Sequence, residues 1–244
     1  MNKKTFGIVL KRTNINEADR ILTIFTREMG KVKAIAKGAR KIKSRLAGSI
    51  EPFLLTNFML YPGKTFWLVT GAEVVKNFEN VQTDVKKTAN AFYVGEIIDK
   101  TLEEDEPHKE IFELFTNYLE YLNTNDDSFM PVYTAKILER LGFKPEVYEC
   151  LHCREKLKPE QNYWDNIEGG VICQNCNSKL GHGKALDNNV IKILRLIFDD
   201  KFSVSANLNI DKKYQKETFN VLEDYIEHII ERELKSKGFL RVMK

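Results

Sequence analysis

The hydrophobic period of this chain changes once, and that change limits the folds open to it. Up to about residue 75, apolar residues recur in alternation, the period of a half-buried strand. Phe6, Ile8 and Leu10 alternate, and residues 20–26 form a run of Ile, Leu, Thr and Phe. Residues 31–37 put Val32, Ala34 and Ala36 on one face and Lys31, Lys33, Ile35 and Lys37 on the other. Residues 52–60 and 66–75 complete the set. Turn formers stand between the runs, at 14–16, at Met29 and Gly30, at Gly38, at Gly48, and at Pro62 and Gly63. Five short strands in so few residues predict a small closed barrel.

From about Thr83 the apolar spacing becomes helical. Ala91, Val94, Ile97 and Ile98 mark one helix, which ends before Pro107. Ile111, Leu114, Phe115, Tyr118 and Leu122 mark a second. Val132, Ala135, Leu138 and Leu141 mark a third, stopped at Gly142. Residues 190–198 predict a further helix, and a stripe from Phe219 through Leu222, Tyr225, Ile226, Ile229, Ile230 and Leu234 predicts a long last one, ending at Gly238. These stripes read as core. The resulting class is α+β, divided as 1–80 and 81–244.

The four cysteines, Cys150, Cys153, Cys173 and Cys176, follow C-x2-C, nineteen residues, C-x2-C. Each pair offers two sulfurs from one tight knuckle, and two knuckles close a tetrahedron, so the spacing predicts one Zn2+ in a ribbon at about 148–182. Trp164, Gly169 and Gly170 suit a hairpin between the knuckles. Disulfides would need an oxidising compartment. Four thiolates leave no place for water or substrate, which makes the site structural. His152 and His182 lie close by and read as surface or supporting histidines.

The net charge is only +3, yet residues 1–80 carry 15 Lys and Arg against 6 Asp and Glu, while the remainder nets −6. Seven of the fifteen residues from 31 to 45 are basic and none is acidic. Such a density calls for a phosphate backbone as counter-charge. Lys31, Lys33 and Lys37 share a strand face, and Gly38 turns the chain into a flexible arm with Arg40, Lys41, Lys43 and Arg45. Arg12, Arg20 and Arg27 lie on neighbouring strands. Among the aromatics, Phe25, Phe58 and Phe66 read as core, and Tyr61 and Trp67 as candidates for stacking on bases.

Other motifs carry less. Residues 61–65 resemble the end of a P-loop, but position 58 is Phe where glycine is required, and a strand rather than a helix follows. The acidic run 103–106 reads as a solvated loop. His108 and His228 have no nucleophile beside them. No run of about 18 apolar residues occurs, and Lys11 and Arg12 interrupt any signal-peptide core, so the expected location is cytoplasmic.

Several blocks, taken in order, resemble the bacterial RecO family of DNA repair proteins. They are residues 7–12, 17–31, 36–45, Glu51 with Pro52 and Phe53, and 60–64. The resemblance is dense over 6–75 and looser beyond. It implies an N-terminal OB-fold, then a helical domain with an inserted four-cysteine zinc ribbon. It implies a mediator of homologous recombination rather than an enzyme, nucleoid-associated, which binds single- and double-stranded DNA and anneals complementary strands. It further implies action with RecR, contact with the C-terminal tail of single-strand DNA-binding protein (SSB), and assistance to RecA loading. The family's basic positions fall on Arg12, Arg20, Lys31, Lys37, Arg40, Lys41, Lys43 and Arg45, to which the strand reading adds Lys33. An RNA-binding zinc-ribbon factor is the alternative, and a nuclease using the acidic run comes third.

Overall fold

The computed structural model describes residues 2–125, 130–199 and 210–242. They form two compact units, Met1–Asp127 with Leu234–Lys244, and Ser128–Glu233. Among the described residues no helix is long and apolar enough to cross a membrane.

The first unit is built on β1 (Lys3–Ile15), β2 (Asp19–Thr26), β3 (Gly30–Ala36), β4 (Leu54–Tyr61) and β5 (Trp67–Asn77). They close into a barrel in the order β1-β2-β3-β5-β4, the OB-fold arrangement. β1 serves both ends of the sheet: its first half pairs with β4, with Lys3 opposite Leu60, and its second half with β2. A bulge between Val9 and Lys11 bends the strand between these partners. The parallel seam of β3 with β5 is short, limited to Ala34 opposite Trp67 and Ile35 opposite Leu68.

Alternation sorts residues between two cores rather than between core and water. Val9, Leu22, Ile24, Val32, Ala34, Ala36, Phe58 and Leu60 fill the barrel. Ile8, Leu10 and Phe25 are equally buried, although they point the other way. The layer over them is α2 (Val85–Thr101) and α3 (Lys109–Thr124), entered through the short α1 (Glu79–Thr83). Phe25 meets Phe112 edge-on at 5.5 Å. Phe53, whose backbone takes φ +61, meets Phe92 at 4.7 Å and Phe115 at 6.4 Å. Asp84 caps α2 by accepting from the Lys86 and Lys87 amides at 2.8 and 3.0 Å.

In the second unit, α4 (Met130–Arg140) ends as the sequence predicts. Gly142 sits at φ +83, and the amides of Gly142 and Phe143 return to the carbonyls of Glu139 and Leu138. The ribbon follows: β6 (Asn162–Asp165), β7 (Gly170–Cys173), α5 (Gln174–Leu180) and β8 (Lys184–Leu186), with the strands in the order β7-β6-β8. Then come α6 (Asn188–Asp199) and α7 (Lys212–Ile229), which pack with α4 and with each other.

The last helix departs from expectation. The stripe beginning at Phe219 does not run to Gly238: α7 stops at Ile229, and Glu231 takes φ +51. Leu222, Tyr225 and Ile226 belong to the core of the second unit, whereas Leu234 is buried in the first. Gly238 lies inside a separate helix, α8 (Ser236–Val242). Its N-terminus is capped by the Glu96 carboxylate of α2, which accepts from the Lys235 and Ser236 amides at 3.1 and 2.8 Å.

Candidate nucleic-acid interface and metal centre

The nine cations expected to meet phosphate divide into two groups. Four are occupied by the chain's own carboxylates. Arg12 and Arg20 both pair with Glu51, the latter at 3.3 Å, and Arg20 also donates to Asn14 Oδ1 at 3.3 Å. Lys33 pairs with Glu104 at 2.6 Å, and this hydrogen bond raises its pKa. Lys31 is not on an open face: it is 7% exposed, and its ammonium donates to the Asp99 carbonyl and lies 3.4 Å from the Asp99 carboxylate.

The burial of Lys31 follows from the short seam of β3. Beyond Ala34 the strand edge has no partner strand in the barrel, and the acidic run covers it. The Asp105 amide donates to the Lys31 carbonyl at 2.9 Å, and Lys31 bridges Glu104 in parallel register. At Gly30, φ +70, the second backbone comes close enough that a Cβ there would overlap the Glu106 carbonyl. Residues 103–106 are therefore exposed but fixed: an edge cover, not the solvated loop that their composition predicts.

The other five cations, Lys37, Arg40, Lys41, Lys43 and Arg45, are exposed and, among the described residues, in no ion pair, although the Arg40 guanidinium donates to the Asn16 carbonyl at 3.1 Å. They stand on residues 37–45, whose footing is built rather than flexible as expected. The Gly38 amide donates to Asp19 Oδ1 at 2.7 Å and the Arg40 amide to the Ala18 carbonyl at 2.9 Å. Ala39 is buried in the barrel core, and Leu46 packs against it. Between these feet the Ser44 amide returns to the Lys41 carbonyl at 2.9 Å, closing a turn with Ile42 and Lys43 at its centre.

Of the stacking candidates, Tyr61 is 50% exposed. Trp67 is half-buried against the barrel core with the Lys3 ammonium 5.4 Å above its ring, so its face is already occupied. Phe25 and Phe58 are core. Arg27 pairs with Glu113 at 2.9 Å.

In the second unit the four cysteine sulfurs lie within 4.8 Å of one another, and among the described residues no other group of three or more His, Cys, Asp or Glu donors is so placed. A tetrahedral ion bound at about 2.3 Å sets its sulfurs roughly 3.8 Å apart. Cys153 and Cys173 stand 3.9 Å apart, which fits that geometry. The first knuckle is shaped by the Cys150 amide donating to Glu155 and by Arg154 at φ +60.

The thiols are unequal. Burial pushes Cys150 up, but the amides of Cys173, Cys153 and His152 outweigh it and bring it down to about 6. Burial and the three neighbouring sulfurs push Cys176 up to about 12. Four like charges so close need a cation before all can ionise, and a thiophilic ion is the chemistry that this donor set fits.

His182 is outside the sulfur cluster. Its Nε2 meets Asp165 Oδ2 at 2.8 Å, and Asp165 Oδ1 accepts from the Ile167 and Glu168 amides at 2.8 and 3.2 Å, closing the β6–β7 turn. That turn rests on α7: Trp164 meets Tyr225 edge-on at 5.7 Å, and a Cβ on Gly169 would overlap the Tyr225 hydroxyl. His152 is exposed on its knuckle. Sequence reading missed the carboxylate partners, Glu51, Asp99 and Glu104. The only signal in the chain was that the acidic run and Glu51 exist at all.

Comparison with known proteins places both halves of the chain. Residues 1–78 match the family described as Recombination protein O N terminal, and residues 82–238 match Recombination protein O C terminal. A protein of Caldanaerobacter subterraneus named DNA repair protein RecO is 34% identical over 240 residues, covering 97% of this chain and 96% of the relative. Proteins of the same name from a Roseiflexus species and from Listeria innocua are 33% and 32% identical, over 97% and 99% of this chain and 84% and 94% of theirs.

Proposed function

The chain belongs to the RecO family, and we propose that it is a DNA repair and recombination mediator whose basic arm holds the phosphate backbone. It binds single- and double-stranded DNA and anneals complementary strands. With RecR it assists RecA onto DNA coated by SSB, whose C-terminal tail it contacts. It performs no bond chemistry and works in the cytoplasm, at the nucleoid. One Zn2+ held by Cys150, Cys153, Cys173 and Cys176 supports the fold of the ribbon.

The observation that carries this reading is the set of five exposed cations on residues 37–45 without a carboxylate among them, on a fixed rim of an OB barrel. Two nucleic-acid strands repel each other, and annealing needs that repulsion lowered where they meet. A cluster of cations that no carboxylate neutralises does this without reading sequence. Lys31 is buried against Asp99, so it acts behind the interface and not in it, whereas the exposed Lys33 contributes once Glu104 yields to phosphate. Arg12 and Arg20 contribute once Glu51 yields to phosphate. The helical residues outside the barrel supply the contacts to partner proteins.

The test is DNA binding across a salt series with the combined variant R40A, K41A, K43A and R45A. Each phosphate contact to a single strand contributes about 0.7 to the slope of log affinity against log salt, so the slope should fall by up to about 3. An unchanged slope would place the interface elsewhere. Tighter binding of RNA than of DNA would favour an RNA-binding factor, and cleavage of DNA in magnesium would reveal a nuclease; either result defeats the proposal.

A further inference from the structure

Among the described residues the most exposed large apolar side chain is Ile42, at 104%, and the next, Ile167, reaches only 65%. It stands at the centre of the 41–44 turn, between Lys41 and Lys43, with Arg40 and Arg45 just beyond. A β-branched residue gains nothing from such a position in the free protein. It touches nothing, and turns favour Gly, Asn, Asp or Ser. The feet of the turn, by contrast, are fastened to the barrel through Asp19, Ala18, Ala39 and Leu46. The fold thus holds an apolar side chain out in water on a turn flanked by cations.

We propose that Ile42 is a wedge that enters between adjacent bases of a bound single strand and unstacks them. The inference rests on the reading of the arm as a DNA site and adds how that site treats the bases. Cations on either side of the side chain anchor the backbone phosphates, which leaves the side chain at the level of the bases. Apolar residues, Ile among them, serve as wedges at base steps because the surface they bury there offsets the lost stacking. For a protein that pairs strands the consequence is direct: a strand whose stacked runs are opened presents free pairing edges. A basic turn with an apolar tip would also suit an anionic lipid surface. The OB barrel beneath it favours nucleic acid.

The test uses the full chain and a single-stranded oligonucleotide carrying 2-aminopurine between purines, whose fluorescence rises on unstacking. The wild-type protein should brighten the probe at saturation. Ile42→Ala should lose most of that brightening while keeping the wild-type salt slope, with affinity lowered by no more than about tenfold. Ile42→Leu should retain the brightening, which separates the wedge from any disturbance of the turn. Since Ile42 packs on nothing, both variants should melt like the wild type.

Equal brightening by Ile42→Ala and wild type overturns the wedge and leaves the DNA site standing. Loss of binding to vesicles of anionic lipid by Ile42→Ala, with brightening intact, overturns it in favour of a membrane anchor. A wild-type salt slope in the four-cation variant overturns the DNA reading of the arm, and the wedge with it.

Discussion

The basic arm of the first unit and the cysteine cluster of the second both gather like groups that the chain does not neutralise. They differ in how long they can wait for the missing charge. The arm cations are exposed and spread along residues 37–45, so water and salt screen them. The sulfurs lie within 4.8 Å, with Cys150 buried, so ionising all four without a cation is costly. On the proposed reading, the arm is a binding site on a finished fold. On the same reading, the cysteine cluster is a part of the fold that its ion completes. Lys31 and Lys33 show a third solution, in which the counter-charge comes from Asp99 and Glu104 of the chain itself.

The sharpest way to break this contrast is to remove the ion. Structural zinc sites contribute on the order of 10 kcal/mol or more to the domains that they close. Cys150→Ser should therefore lower the melting temperature of the second unit more than any other single change considered, and zinc content should fall below one per chain. A chelator should do the same to the wild type. Retention of one zinc with unchanged melting would remove the ribbon from the account. The four-cation variant of the arm should behave in the opposite way, with a salt slope lower by up to about 3 and an unshifted melting curve.

Lys31→Ala tests the third solution. It leaves the Asp99 carboxylate facing a largely buried site without its partner, a loss of about 1–3 kcal/mol. Urea denaturation should show that loss, while the salt slope of DNA binding stays at the wild-type value. A lower slope with full stability would mean that Lys31 reaches phosphate after all, and would return it to the interface beside the arm.

The barrel was legible because a two-residue period and turn formers are local signals, and the ribbon because metal geometry dictates cysteine spacing. What was not legible depends on distance along the chain. Nothing near Lys31 announces that Asp99 will neutralise it, or that 103–106 will cover the edge that β5 leaves bare. Alternation in β1 placed Ile8 and Leu10 on one face but could not say that helices cover it, because a strand buried on both sides and a strand buried on one begin with the same pattern. The apolar stripe after Phe219 hid a break at Ile229 because Leu234 keeps helical spacing while belonging to another core. Charge density, likewise, marks where cations are in the chain and not which of them remain uncommitted.

The smallest expected effect separates the support of the ribbon from its ion. Burial raises the Asp165 carboxyl, but the His182 ring and the Glu168 and Ile167 amides outweigh it and hold the group below its ordinary value. The same hydrogen bond raises His182 above 6.5. The signs follow from linkage. The contribution of His182 is fully present below its ordinary pKa of 6.5 and is lost as pH rises through its higher folded value. That of Asp165 is present above its ordinary pKa of 3.8 and is lost as pH falls through its lower folded value. Because His182 is partly exposed, the alkaline loss should be slight. It should appear in zinc-loaded protein as a small fall in melting temperature above pH 6.5, and should vanish in His182→Gln with zinc content unchanged. If zinc is lost along with the imidazole, His182 belongs to the metal site, and Asp165 supports the ion as well as the turn.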